Sequence, residues 1–228
     1  MENINFNKDD CLYASVCKYY GIEGECNAGC IRYLEMKHLL DHSRIPKAYQ
    51  RPIPLFPEEQ DLETFKELAE IKEHINEFIK DGRNLYLFSD NTGNGKSVWV
   101  IKILLAYFDK IWNGNGLEQR GIFVSVPQFI TGIKDNITLK DDKLIEDKEL
   151  FKEIELLVLD DIGATGKTEY NMEQLFNIID YRVLSGKSTL YTSNIRPENL
   201  PVNVGKRLTS RILANAEILE IKGGDNRW

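Results

Sequence analysis

The sequence Asp90-Asn91-Thr92-Gly93-Asn94-Gly95-Lys96-Ser97 follows the apolar run 85–88 and precedes a segment of helical character, 98–111. A strand, a glycine-rich turn and a helix headed by Lys-Ser predict a phosphate-binding loop. Backbone N–H groups of residues 91–98, ending at Val98, would surround the anion, and the helix dipole favours its charge. Lys96 is expected to reach the β- and γ-phosphates of ATP, and Ser97 to place its hydroxyl on Mg²⁺.

This loop departs from the pattern G-x-x-x-x-G-K-[ST] at its first position, where Asp90 replaces glycine. Aspartate tolerates turn geometry better than most residues. It also brings a carboxylate close to the phosphates, so Asp90 bears directly on nucleotide affinity.

Composition and length set the broad class of the protein. The 228 residues suffice for one good-sized domain and a small module, and the hydrophobic (42%) and charged (29%) fractions are typical of soluble globular proteins. No apolar run approaches the roughly 20 residues that cross a bilayer, and the N-terminus lacks a signal-peptide pattern. We therefore expect a cytoplasmic protein without a membrane partner. The net charge of −7 argues against unspecific coating of nucleic acid, so any DNA contact requires a local basic patch.

All four cysteines fall within twenty residues, in the pattern Cys11-x5-Cys17-x8-Cys26-x3-Cys30. In a reducing compartment such clustering favours a metal over disulfides. Four thiolates suit the tetrahedral preference of Zn²⁺, and a closed site of this kind is structural. The cysteines therefore predict a zinc site, with scattered free thiols as the alternative. His38 and His42, one helical turn apart, could replace a cysteine ligand, although a surface or packing role is more common for such residues.

The remaining patterns divide the chain into three parts. Residues 1–42 form the cysteine module, whose helix 31–40 caps the module, docks a partner, or does both. Residues 43–60 contain four prolines and predict an extended linker. Residues 61–228 then form the main domain.

Within the main domain, predicted strands alternate with predicted helices. This alternation predicts an α/β fold with a parallel five-stranded sheet and helices on both faces. The acidic, lysine-rich segment 134–153 is weakly patterned and is expected to be a mobile loop with a short helix. The predicted strands are 85–88, 121–126, 154–159, 190–193 and 217–221, and the predicted helices are 58–80, 98–111, 128–135, 171–185 and 204–214.

Two further strand ends carry polar side chains. The apolar run 155–159 ends in Asp160 and Asp161, and parallel sheets place ligands at the C-terminal ends of their strands. Asp160 would hold the Mg²⁺ shell together with Ser97, and Asp161 would polarise the attacking water. The strand 188–191 leads into Thr-Ser-Asn, where the amide of Asn194 can bond both the γ-phosphate and the water.

A basic helix follows these strands, with Arg207 and Arg211 at i and i+4 on one face. Such spacing usually marks a solvated face. Alternatively, one arginine is supplied to the γ-phosphate of a neighbouring subunit, where it neutralises transition-state charge. The second interpretation requires self-association.

Together these motifs resemble the AAA+ ATPases, particularly helicase loaders of the DnaC/DnaI type and their phage relatives. By that resemblance Lys96 and Ser97 belong to Walker A, Asp160 and Asp161 to Walker B. Asn194 corresponds to sensor 1, Arg211 to the arginine finger, and Arg227 in the terminal Gly-Asp-Asn-Arg to a nucleotide-sensing tail. Only seventeen residues follow Arg211, too few for the C-terminal helical lid of many AAA+ proteins, which also matches the loader group.

The resemblance implies an ATP-dependent loader that binds a hexameric replicative helicase through residues 1–42 and delivers it to single-stranded DNA. Lys206, Arg207 and the basic residues of 128–140 are the candidate DNA contacts. Asp161 is one methylene shorter than the glutamate of many AAA+ enzymes, which favours slow hydrolysis. Two alternatives remain: a transposition helper ATPase of the same fold that coats duplex DNA, and a nucleotide-binding adaptor that does not hydrolyse ATP.

Overall fold

The computed structural model describes residues 6–51, 53–111, 118–139, 142–164 and 168–224. Its centre is a sheet of five parallel strands in the order β2-β3-β4-β1-β5. The predicted α/β fold with a five-stranded parallel sheet is therefore confirmed. The strands are β1 (Asn84–Phe88), β2 (Gly121–Ser125), β3 (Leu156–Asp160), β4 (Ser188–Ser193) and β5 (Ala216–Glu220).

Nine α-helices are present in the described ranges. Most start and end within a few residues of the prediction, because apolar residues at helical spacing mark them. Their bounds are α1 (Ile31–His42), α2 (Leu62–Glu73), α3 (Ile75–Lys80), α4 (Lys96–Lys110), α5 (Val126–Leu139), α6 (Asp142–Glu153), α7 (Glu169–Leu184), α8 (Leu200–Val204) and α9 (Lys206–Ile212).

The two faces of the sheet carry separate cores. Side chains alternate along a strand, so Leu85 and Leu87 of β1 face one core while Tyr86 and Phe88 face the other. The first core contains α1 to α4, and the second contains α5 to α9. All residues of β1 and β4 are buried. A sheet buried on both faces explains why its strands read as nearly continuous apolar runs.

Three predicted boundaries are wrong. The segment 134–153 is not a loop with a short helix, because α5 extends to Leu139 and α6 runs for twelve residues. Val126 begins α5 instead of ending β2, and Pro127 is tolerated there because the first turn of a helix needs no proline N–H. The predicted helix 58–80 is divided at His74 into α2 and α3.

The N-terminal part of the chain lies against the sheet domain. Residues 11–30 are mainly turns, and Met36 and Leu39 of α1 are buried in the same core as α4. Beyond α1, the carbonyl of Ser43 accepts a hydrogen bond of 2.7 Å from the N–H of Phe123 in the edge strand β2. Removal of residues 1–45 would therefore expose core residues of the sheet domain.

Within the described ranges, no helix combines the length and the apolarity that a membrane span needs.

Candidate nucleotide-binding site

The strand order brings the predicted motifs to one edge of the sheet. The phosphate loop follows β1, the two aspartates end β3, and Asn194 follows β4, which lies between β3 and β1. Because all strands are parallel, their C-terminal ends share one edge. Residues that are distant in sequence thus come together around the start of α4.

The phosphate loop has the backbone that its glycines allow. Gly93 and Gly95 have φ of 76° and 94°, values that other residues rarely adopt. A Cβ atom on Gly95 would also approach Leu55 of the proline-rich segment within 3.1 Å. The first N–H groups of α4, including those of Ser97 and Val98, have no partner within the helix and are available to an anion.

Lys96 is buried inside this loop. Its Nζ donates to the carbonyl of Asn91 at 2.8 Å and to Asn94 Oδ1 at 3.0 Å. Asn94 is buried, and its amide in turn donates to Ser89 Oγ and to the carbonyl of Ile221. These contacts hold the lysine at the centre of the loop. Thr92 is exposed on the same loop.

The two aspartates are joined through Thr192 of β4. The hydroxyl of Thr192 donates to Asp160 Oδ1 at 2.7 Å and accepts from the N–H of Asp161 at 2.9 Å. Asn194 Nδ2 donates to Asp161 Oδ1 at 3.1 Å. The predicted catalytic base and the predicted sensor amide are therefore in direct contact.

The environment of Asp161 differs from that of an ordinary surface aspartate. Burial and, to a smaller degree, the charge of Asp160 raise the pKa of Asp161, while Lys96 opposes the shift. The backbone of Asp161 has φ of 61°, a strained value for a residue with a Cβ. A partly buried carboxylate with a raised pKa, close enough to a lysine to feel its charge, is typical of a functional base.

The residues predicted to hold Mg²⁺ border a common cavity. Ser97 and Asp160 both line a cavity of about 440 Å³ next to the loop. A hydroxyl and a carboxylate are oxygen ligands of the kind that Mg²⁺ prefers. The chemistry of these two residues therefore fits a magnesium ion.

The remaining predicted residues have different positions. Arg211 of α9 donates from Nε to Asp180 Oδ1 of α7 at 2.5 Å, and no described contact joins it to the phosphate loop. Its role as an arginine finger for a neighbouring subunit stays a prediction. Arg207 lies over the ring of Phe176 at 3.8 Å and, like Lys206, is exposed. Arg227 lies outside the described residues.

The zinc site predicted at Cys11, Cys17, Cys26 and Cys30 is not supported. In the described part of the chain, no three Cys, His, Asp or Glu side chains are placed together for a metal ion. Zinc needs four ligand atoms about 2.0–2.3 Å from one centre, and proximity in sequence does not bring the thiols to that spacing. Burial raises the pKa of the Cys11 thiol, and the charges of Cys30, Cys17 and Cys26 raise it further. His38 and His42 instead pack against each other on α1.

Two contributors to the site were missed from the sequence. Thr192 stands in the quoted strand end, but the sequence does not show that its hydroxyl joins the carboxylate of Asp160 to the main-chain N–H of Asp161. Arg196 forms an ion pair with Asp90 across 106 residues, and no local pattern links such distant positions. Only the strand order places them side by side.

We expect Thr192→Val to lower the turnover number of ATP hydrolysis by about tenfold, as loss of a partner that orients metal-site residues generally does. Valine keeps the shape of threonine but cannot orient Asp160 or satisfy the N–H of Asp161. Steady-state hydrolysis at saturating ATP and Mg²⁺ measures the effect. Thr131→Val, which removes an exposed hydroxyl bonded to Pro127, is the matched control and should leave the rate unchanged. Equal rates in all three proteins would exclude a positioning role for Thr192.

The fold and the arrangement of these side chains resemble those of P-loop nucleotide-binding proteins of the AAA+ class. No family model matches the chain. The chain is 26% identical over 174 residues to the replicative helicase loader DnaI of Bacillus subtilis (strain 168), an alignment that covers 68% of this chain and 53% of DnaI. It thus spans about half the length of that relative.

Solved structures agree with this assignment of the fold. The crystal structure of the DnaC helicase loader superposes with a TM-score of 0.61 at 24% identity, covering 73% of this chain and 93% of the solved chain. That of DnaI gives a TM-score of 0.64 at 21% identity, covering 79% and 96%. At these identities the structures show the fold alone. The predicted resemblance to AAA+ helicase loaders of the DnaC/DnaI type is confirmed.

Proposed function

We propose that this chain is an ATP-dependent helicase loader, which binds a hexameric replicative helicase and delivers it to single-stranded DNA. The observation that carries the proposal is the contact between Asp161 and Asn194 beside a buried Lys96, in a fold shared with DnaC and DnaI. Similarity to a protein described as a replicative helicase loader supports the partner class. Its place of action would be the cytoplasm.

The chemistry of the proposed ATPase follows from the residues at the sheet edge. The loop N–H groups and Lys96 bind the phosphates, and Ser97 and Asp160 would hold a magnesium ion. When bound, that ion neutralises charge on the β- and γ-phosphates. Asp161 accepts the proton of the attacking water, which Asn194 holds in place through its contact with Asp161. Arg211 would release Asp180 and contact the γ-phosphate of the nucleotide bound to a neighbouring subunit.

The helicase would contact the N-terminal module, residues 1–42. Within the described part of that module, large apolar side chains are exposed at Val16, Tyr19, Ile22 and Ile31. Exposed large apolar side chains are available to pack against a partner protein. Single-stranded DNA would contact Lys206, Arg207 and the basic residues of 128–140, and its binding should change ATP affinity reciprocally.

We expect Val16→Asp to weaken the complex with the helicase by about tenfold or more, because a charge in an apolar contact is poorly solvated. Val202→Asp is the matched control, since Val16 and Val202 are 77% and 75% exposed. The measurement is sizing of mixtures with the cognate hexameric helicase, with and without ATP. A point substitution is required because deletion of residues 1–45 would disturb the core.

Three outcomes separate the possible explanations. If the complex still forms with Val16→Asp and with the same change at Ile22 and Ile31, the helicase does not bind through residues 1–42. No complex with the helicase under any condition contradicts the loader function itself. Preference for duplex over single-stranded DNA would favour the transposition helper instead.

A further inference from the structure

The carboxylate of Asp90 is the feature of the phosphate loop that the nucleotide-binding function leaves unexplained. It stands at the start of the phosphate loop, where the loop pattern has glycine. A carboxylate close to the phosphates of a nucleotide repels them, and the repulsion is stronger where water is partly excluded. An uncompensated Asp90 would therefore oppose the ligand that the loop is shaped to bind.

Arg196 compensates this charge in a specific geometry. Its Nε donates to both carboxylate oxygens of Asp90, at 3.1 and 2.9 Å, and a terminal N–H₂ donates to Asp90 Oδ2 at 2.7 Å. The same N–H₂ group bonds Glu220 Oε1 at 2.8 Å. A planar guanidinium that engages both oxygens of a carboxylate fixes its orientation as well as its charge.

The position of Arg196 connects three adjacent strand ends. Asp90 follows β1, Glu220 ends β5, and Arg196 lies two residues beyond Asn194 at the end of β4. The arginine therefore links the start of the phosphate loop to the strand that carries the predicted sensor. A lysine could supply the charge but could not engage both oxygens of Asp90 in one plane.

We propose that Arg196 is a positioning residue that neutralises Asp90 and holds its carboxylate away from the nucleotide phosphates. This inference rests on the proposed nucleotide-binding function. The alternative is an ordinary surface ion pair, since the two side chains are 39% and 56% exposed. Exposed ion pairs contribute little to folding stability, so the two roles predict different measurements. A positioning role affects nucleotide affinity, and it does so only while Asp90 is present.

We expect Arg196→Ala to weaken ATP binding by about tenfold, because Asp90 then repels the phosphates. Asp90→Gly should bind ATP as well as the unsubstituted protein or better. The double variant Asp90→Gly/Arg196→Ala should return to within about threefold of the unsubstituted protein, since the two changes are coupled. Equilibrium titration with magnesium ATP measures all four proteins. The deficit of Arg196→Ala should shrink as salt is raised, because salt screens the repulsion.

The control is Arg83→Ala, which removes an arginine of similar exposure (44%) that pairs with Glu217 of the same strand β5. It should bind ATP normally. If the double variant keeps the full deficit of Arg196→Ala, or if Arg196→Ala has no deficit, the inference is wrong. Failure of the unsubstituted protein to bind ATP would instead contradict the proposed function. Arg196→Lys keeps the positive charge but loses the planar contact with Asp90. We expect its ATP affinity to lie between those of the unsubstituted protein and Arg196→Ala, which separates the two contributions.

Discussion

Asp161→Asn is expected to reduce the turnover number of ATP hydrolysis by about 100-fold or more, while ATP affinity changes little. General bases contribute factors of about 10² to 10⁴, and asparagine cannot accept the proton of the attacking water. It can still accept the hydrogen bond that Asn194 donates to Oδ1. The substitution therefore removes the chemistry and preserves the geometry of the site.

The pH dependence of hydrolysis provides a second measurement of the same residue. Burial and the charge of Asp160 raise the pKa of Asp161, so protonation should inhibit the enzyme at a higher pH than for an ordinary aspartate. The turnover number should fall as pH is lowered through that raised pKa. The residual rate of Asp161→Asn should lack this dependence.

The stability of the nucleotide-free protein should change in the opposite direction from its activity. Because the pKa of Asp161 is higher in the folded than in the unfolded chain, its ionised form costs stability at neutral pH, and the cost disappears as pH falls through the folded pKa. Asparagine carries no charge. Like aspartate, it tolerates a positive φ such as the 61° at this position better than most residues do. Asp161→Asn should therefore be at least as stable at neutral pH, with a difference that narrows in acid.

These measurements distinguish a base from a structural residue. Loss of activity together with a lower unfolding temperature would indicate that Asp161 supports the fold. Normal hydrolysis by Asp161→Asn would remove it from the catalytic role. Asp161→Glu tests the reach of the base, since it adds one methylene to the side chain.

The sequence predicts those parts of the site that depend on local patterns. A phosphate loop needs a strand, a glycine turn and a lysine in succession, so residues 85–98 reveal it directly. Asp160 and Asp161 follow from the end of a buried strand, because parallel strands present their C-terminal ends to a ligand. The strand order then supplies the contact between Asp161 and Asn194.

Contacts that depend on tertiary structure could not be predicted in the same way. The segment 142–153 is polar and charged, so its sequence pattern alone does not predict a helix. Its apolar side chains Leu144 and Phe151 pack in the second core, and that contact depends on the tertiary structure. Asp90 looks like a defect in the loop until Arg196 is placed beside it. The four cysteines look like ligands because they are close in sequence, but tetrahedral ligation is a condition on distances in space.

Arg182 is the clearest case of a role that the sequence hides. On α7 it resembles an ordinary solvent-facing arginine, yet its side chain is completely buried. Its Nε donates to Thr189 Oγ1 at 2.9 Å, and its terminal groups donate to main-chain carbonyls at the end of α6, before β3 and at the start of β4. These carbonyls belong to Phe151, Lys152, Ile154, Glu155 and Ser188.

We expect Arg182→Met to lower the free energy of unfolding by about 3–5 kcal/mol, because removal of a buried charged partner leaves several buried carbonyls unsatisfied. Burial lowers the pKa of Arg182 to about 10, so the side chain remains charged at neutral pH and binds these carbonyls as a cation. In a chain of this size the change corresponds to roughly 10 °C in unfolding temperature. Denaturant titration followed by far-ultraviolet circular dichroism measures the effect.

A second arginine provides the control for the general effect of replacing arginine with methionine. Arg83→Met removes an exposed arginine that is paired with Glu217, and it should change stability by no more than about 1 kcal/mol. Arg182→Lys keeps the charge but offers fewer, differently directed donors, so it should lie between the two. If Arg182→Met unfolds at the same denaturant concentration as Arg83→Met, the carbonyls must find other partners, and α6, β3 and β4 are not joined through this side chain.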